Sequence, residues 1–183
     1  MLSQAEHDEA ASSILITDSR ELANKVKAEL QRQLGRLPKK AIAERSLKDY
    51  GAIIVTGDID EAVAIANEIA PEHLEIITER PRAVLPLIKN AGAIFLGKWS
   101  PEPLGDYCAG PNHTLPTAGT ARFSSPLGTY DFFKRTSLID FTEEGFLRLA
   151  PIVENLAKLE GLEAHAETVR VRRALSSQAR GGA

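Results

Sequence analysis

Four short apolar runs set the limits on this fold: Ile14-Leu15-Ile16-Thr17, Ala52-Ile53-Ile54-Val55, Leu74-Glu75-Ile76-Ile77 and Ala93-Ile94-Phe95-Leu96. Each is too short for a helix and is bounded by polar or turn-forming residues, so each reads as a buried strand. Helical periodicity fills the gaps between them. Strands that alternate with helices predict a parallel sheet joined by right-handed crossovers, and ligands in such sheets gather beyond the carboxyl ends of the strands.

The helices carry their own signals. Asp18 with Glu21 resembles an acidic capping box, and Leu22, Val26 and Leu30 recur every four residues, so 20–34 reads as an amphipathic helix stopped by Gly35 and Pro38. A lesser helix is expected over 39–48. Asp58 and Glu61 form a second cap before the stripe Ile59, Ala62, Val63, Ala66 and Ile69, which Pro71 ends. Residues 81–89 read as helical, with Pro81 in the first turn, where its missing N–H does no harm. No Gly-x-Gly-x-x-Gly fingerprint opens any of these helices, so the phosphate-cradling turn of a nucleotide site is absent.

The fourth strand leads into residues 101–117, which hold four prolines and two glycines around Asp106, Cys108, Asn112 and His113. This punctuation predicts neither regular helix nor strand, and a loop stiffened this way suits either a structural connection or a group held for a ligand. A second Gly/Pro/Ser region spans 118–129. Beyond it, 138–141 reads as a short extended piece and Thr142 as an N-cap. Helices follow over 143–159 and 162–174, broken by Gly161, and the tail from Ser176 reads as disordered.

Composition narrows the function classes. The chain has 183 residues, 43% hydrophobic and 26% charged, as expected of an ordinary globular protein. A formal charge of −3 offers no general attraction to nucleic acid or an anionic membrane. No apolar run approaches the length of a membrane span, and the acidic, polar start is unlike a secretory signal. One cysteine excludes an intramolecular disulfide and fits a reducing, cytoplasmic setting.

Four histidines, His7, His73, His113 and His165, mark candidate chemistry. Each also has an ordinary reading: an exposed residue near a chain start, a corner residue, a loop residue, and a packed residue beside Leu162 and Val169. Asp106 with Gln4, His7 and His165 makes an N/O donor set of the kind zinc takes, at wide spacing. Glu72-His73 is a candidate acid–base pair, although neighbours on a strand face opposite ways. Cys108 is either a nucleophile or a packed thiol.

Longer strings carry a resemblance. Ser3-Gln4-Ala5-Glu6-His7, Ala70-Pro71-Glu72-His73-Leu74-Glu75, Gly105-Asp106-Tyr107-Cys108-Ala109-Gly110-Pro111-Asn112-His113-Thr114-Leu115-Pro116-Thr117 and Glu160-Gly161-Leu162-Glu163-Ala164-His165 resemble histidinol dehydrogenase, in that family's order, from about Leu2 to about Arg173. The resemblance implies oxidation of L-histidinol through histidinal to L-histidine, a four-electron reaction of histidine biosynthesis that consumes two NAD. It implies zinc on Gln4, His7, Asp106 and His165, acting mainly as a template for the substrate. It implies His73 as the base that removes the hydroxyl proton, Glu72 as the activator of water, and His113 and Glu160 as substrate contacts. It also implies a homodimer whose tail completes the partner's site.

The fold so implied is α/β: a partial Rossmann-like parallel sheet with flanking helices over 1–127, then a small helical dimerisation tail over 128–183. The family's chains are far longer, and the region matched begins just before Gln4. The NAD-binding domain is therefore expected to lie outside this sequence, with no cofactor-binding residue in it, and unpaired strand edges and bare apolar surface are expected. Two alternatives stand beside the enzyme: a zinc-binding remnant that is inactive without a separate N-terminal half, and a zinc hydrolase using Glu72.

Overall fold

The computed structural model describes residues 1–181, with side chains through residue 176. The chain divides into two compact units, residues 1–132 and the residues from 133 onward.

In the first unit, β1 (Ser13–Thr17) pairs in parallel with β2 (Gly51–Val55), in register from Ser13 opposite Gly51 to Thr17 opposite Val55. Helices α2 (Arg20–Leu34) and α3 (Lys40–Tyr50) connect them. α3 turns into β2 so tightly that a Cβ on Gly51 would lie 2.5 Å from the Leu47 carbonyl oxygen, which only glycine avoids. The short α1 (Leu2–Ala5) is tied down at its start, where the Ser13 hydroxyl donates to the Met1 carbonyl at 3.1 Å. Ala5 and Ala43 are completely buried, and the Ser46 hydroxyl donates to the Ala11 carbonyl at 2.7 Å.

α4 (Ile59–Ile69) starts as the sequence predicts, with the Asp58 carboxylate accepting the Glu61 N–H at 2.8 Å, and it buries Ala62, Val63 and Ala66. It ends on the fully buried Ala70, which takes the left-handed conformation at φ 50° immediately before Pro71. β3 (His73–Ile76) and β4 (Ala93–Leu96) form a second parallel ladder, with His73 opposite Ala93. Asn67 of α4 pins the approach to β4: its amide donates to Leu87 O at 2.9 Å and its carbonyl accepts the N–H of Lys89 at 2.6 Å.

The second unit is a helical hairpin of α7 (Glu143–Leu159) and α8 (Glu163–Gly181). Thr142 caps α7 as predicted, accepting the Gly145 N–H at 3.1 Å. At the turn, Gly161 takes φ 72° and the Leu162 N–H returns to the Ala157 carbonyl at 2.8 Å, the glycine-dependent way of closing a helix end. Ala150, Ala157, Ala166 and Val169 form the buried seam, and the buried Glu154 accepts from Arg173 Nη1 at 2.7 Å.

Several expectations are corrected. The strands form two separate two-stranded ladders, not one partial sheet. Apolar runs specify strands but not which neighbour each one takes, because pairing is settled by tertiary packing. Ser19, not Asp18, caps α2, accepting the Leu22 N–H at 3.2 Å. On that helix Val26 and Leu30 are half-buried as the predicted stripe requires, but Leu22 is exposed and Ala23 beside it is buried instead. The 81–89 helix shrinks to α5 (Pro81–Val84) and a 3-10 turn over Leu85–Leu87, because Pro86 cannot continue the ladder of N–H donors. α8 continues through Gly181 where a disordered tail was expected. Gly182 and Ala183 lie outside the described residues.

The 101–117 stretch also departs from expectation, since it opens with a helix, α6 (Glu102–Tyr107). Its Pro101 and Pro103 sit at the N-cap and in the first turn, where proline is tolerated. Large apolar side chains stand in solvent in both units, among them Trp99 and Tyr107 in the first and Leu138 and Leu159 in the second. Among the described residues, no helix is long and apolar enough to cross a membrane.

Candidate active site

The candidate site lies where β3 meets α6. His73 opens β3, and Glu75 follows two residues later, so both side chains leave the same face of the strand. On α6, Glu102 and Asp106 are four residues apart and share a face. His73 Nε2 lies 3.8 Å from Glu102 Oε1 and 4.0 Å from Asp106 Oδ1. The ligand-type atoms of these three residues all fall within 4.8 Å of one another.

Packing fixes this spacing from behind. The His73 ring rests against Phe95 of β4, with centroids 5.9 Å apart and planes tilted by 45°. Gly105 of α6 meets the same phenyl ring, and a Cβ there would lie 2.8 Å from it. Glycine lets α6 settle onto Phe95, and that seating brings Asp106 over His73.

Two features mark the cluster as unfinished in its hydrogen bonding. His73 Nε2 is buried without a hydrogen-bond partner, an arrangement that costs free energy until something fills it. Burial pushes the Glu102 carboxyl above its ordinary range, and the neighbouring Asp106 raises it further through a hydrogen bond and charge repulsion, partly offset by His73. Among the described residues, the ion-pair partner of either carboxylate is His73. Crowded acids beside an unpaired imidazole nitrogen can accept a proton, a cation or a hydroxyl donor.

The other predicted residues are placed as follows. Gln4 is half-buried on α1, and His7 is exposed just beyond it, its N–H bonded to Gln4 O at 3.2 Å. Among the described residues, the gathered His/Cys/Asp/Glu group is His73, Glu102 and Asp106, so His7 stands outside it. Glu72 is half-buried directly before β3, and its carbonyl accepts the Ala93 N–H at 2.8 Å. His113 and Cys108 are exposed in the loop. Glu160 and His165 belong to the second unit and are exposed within it, so His165 is not a core residue of that hairpin. Glu102 was not anticipated. Its signal was the Glu102-x-x-x-Asp106 spacing, hidden because the prolines around it read as irregular loop.

Comparison with known proteins decides the family. The Histidinol dehydrogenase family profile matches residues 1–173. The chain belongs to the histidinol dehydrogenase family. It is 58% identical over 173 residues to the histidinol dehydrogenase of Aquifex aeolicus, covering 94% of this chain and 41% of that one. It is 55% identical over 172 residues to that of Bacillus subtilis, with 94% and 40% covered. The crystal structure of histidinol dehydrogenase from Elizabethkingia anophelis superposes with a TM-score of 0.85 at 37% identity, covering 96% of this chain and 40% of that one. The chain thus spans about two fifths of the length of the histidinol dehydrogenases it matches.

Proposed function

We propose that this chain forms the zinc- and substrate-binding part of a histidinol dehydrogenase, oxidising L-histidinol through histidinal to L-histidine. The observation that carries this reading is the orphaned Nε2 of His73, buried beside Asp106 and ready for a donor that the protein itself does not supply. A substrate hydroxyl is such a donor. His73 receives its proton at Nε2 as the carbon-bound hydride departs, and the ring contact with Phe95 keeps the imidazole from swinging away. Glu72, adjacent in the chain but not on the strand itself, takes a proton from the water that attacks the aldehyde. His113 and Glu160 contact the substrate.

The donor chemistry suits a cation: Gln4 and Asp106 offer oxygen, His7 and His165 nitrogen. Those four residues would hold zinc, and zinc would supply a template for the substrate's imidazole and amino groups. NAD would accept the hydride in each oxidation, bound by a domain outside this sequence. A second copy of the chain is the expected partner, its tail bringing His165 to the site, and the exposed apolar side chains of both units are consistent with such covered surfaces. In this reading the two ladders belong to a larger Rossmann-like parallel architecture, and the setting is cytoplasmic.

The test is NADH formation with L-histidinol, by the chain alone and mixed with the N-terminal portion of a relative. Histidinol-dependent reduction in the mixture supports the proposal. No reduction in the mixture, with zinc still bound, favours a zinc-binding protein without this activity.

A further inference from the structure

Glu75 belongs to one of the strings that carry the family resemblance, yet it has no role in the mechanism above. Its carboxylate reaches from β3 to α6 and accepts the backbone N–H of Glu102 at 2.9 Å. That contact answers a specific need. Helices begin with N–H groups that lack internal partners, and α6 has no side-chain cap on Pro101. Pro103 has no N–H to satisfy, and the Leu104 N–H bonds to the Pro101 carbonyl at 3.0 Å. The Glu102 N–H is the remaining donor, and Glu75 supplies both its acceptor and a negative charge at the positive end of the helix.

The bond therefore joins the strand that carries His73 to the helix that carries Asp106. We propose that Glu75 is a positioning residue: acting through the Glu102 backbone, it clamps α6 onto β3 and so sets Asp106 against His73 Nε2. This inference rests on the reading of Asp106 as a zinc ligand and His73 as the base. Glu75 is exposed, so replacing it leaves the buried core intact.

The experiment compares zinc affinity, by chelator competition, for the full chain and its Glu75→Ala, Glu75→Gln and Asp106→Ala variants, alongside hydrogen exchange at the Glu102 amide. Glu75→Ala is expected to weaken zinc binding by roughly 10-fold or more, as loss of a support behind a metal ligand does. It is also expected to speed exchange at Glu102 about fivefold. Glu75→Gln keeps an acceptor oxygen and should restore both to within about threefold of the original chain. Unchanged zinc affinity in Glu75→Ala, or equal losses in the Ala and Gln variants, overturns the proposal. If Asp106→Ala binds zinc as well as the original chain, the site reading itself fails; exchange at Glu102 then decides whether Glu75 holds α6, and an unchanged rate overturns it.

Discussion

Gly105 lies against the ring of Phe95 so closely that a single added methyl would meet it at 2.8 Å. Because Phe95 also supports the His73 ring, one glycine fixes the distance between the acid-bearing helix and the imidazole. Gly105→Ala is expected to push α6 away, lowering stability by about 1–3 kcal/mol as overpacking does and weakening zinc binding. Gly35→Ala is the control, since its Cβ would meet nothing nearer than 3.8 Å and Gly35 already has helical φ and ψ. Thermal unfolding and chelator competition on both variants check the contrast.

Glu102 is expected to make the stability of the metal-free chain fall as pH rises. Burial and Asp106 raise its folded-state pKa, so in the window above the ordinary glutamate value the folded chain holds a proton that the unfolded chain has lost. The stability contributed by that proton is full below the unfolded pKa and disappears as pH rises through the folded one. Glu102→Gln removes this contribution. Urea midpoints measured from about pH 4 to 8 should show the variant gaining on the original chain as pH rises; a constant difference would contradict the assignment.

The two oxidations should separate by residue. Glu72→Gln is expected to spare histidinol oxidation more than histidinal oxidation, because only the second step consumes water. His73→Asn should lower the first step by about 10²–10⁴-fold, the range for loss of a general base. Single-turnover NADH formation from each substrate, in the assembled enzyme, reads both; equal losses in both steps for Glu72→Gln would count against its role.

Shared sites can be tested by mixing. His165→Ala and Gln4→Ala chains should each bind zinc poorly alone, while a mixed dimer regains one intact site from the unmutated tail of one copy and the unmutated first unit of the other. If mixing restores nothing, the tail does not serve a partner's site.

Much of the fold was legible because its signals are local. Asp58 and Thr142 cap the helices they were expected to cap, and the 20–34 and 143–159 helices appear with those bounds. What escaped depends on neighbours distant in sequence. Periodicity cannot say that the strands pair as two ladders, nor that Ser19 outcompetes Asp18 one residue away. The prolines of 101–103 looked like helix breakers, and only their position in a first turn makes them helix starters. That hid Glu102, and with it the Glu75 contact, which spans 27 residues of chain. Glu72 and His165 were candidates from residue chemistry alone, but the specific roles proposed for Glu72, His113, Glu160 and His165 rest on family likeness, since burial singles out none of the four.

The central claim is a zinc site built on Asp106 and completed by a second copy of the chain. Elemental zinc analysis of the purified chain, combined with its mass from light scattering, tests it most directly. The account predicts one zinc per protomer in a dimer, lost on Asp106→Ala. A dimer without zinc, or zinc retained in full by Asp106→Ala, would contradict it.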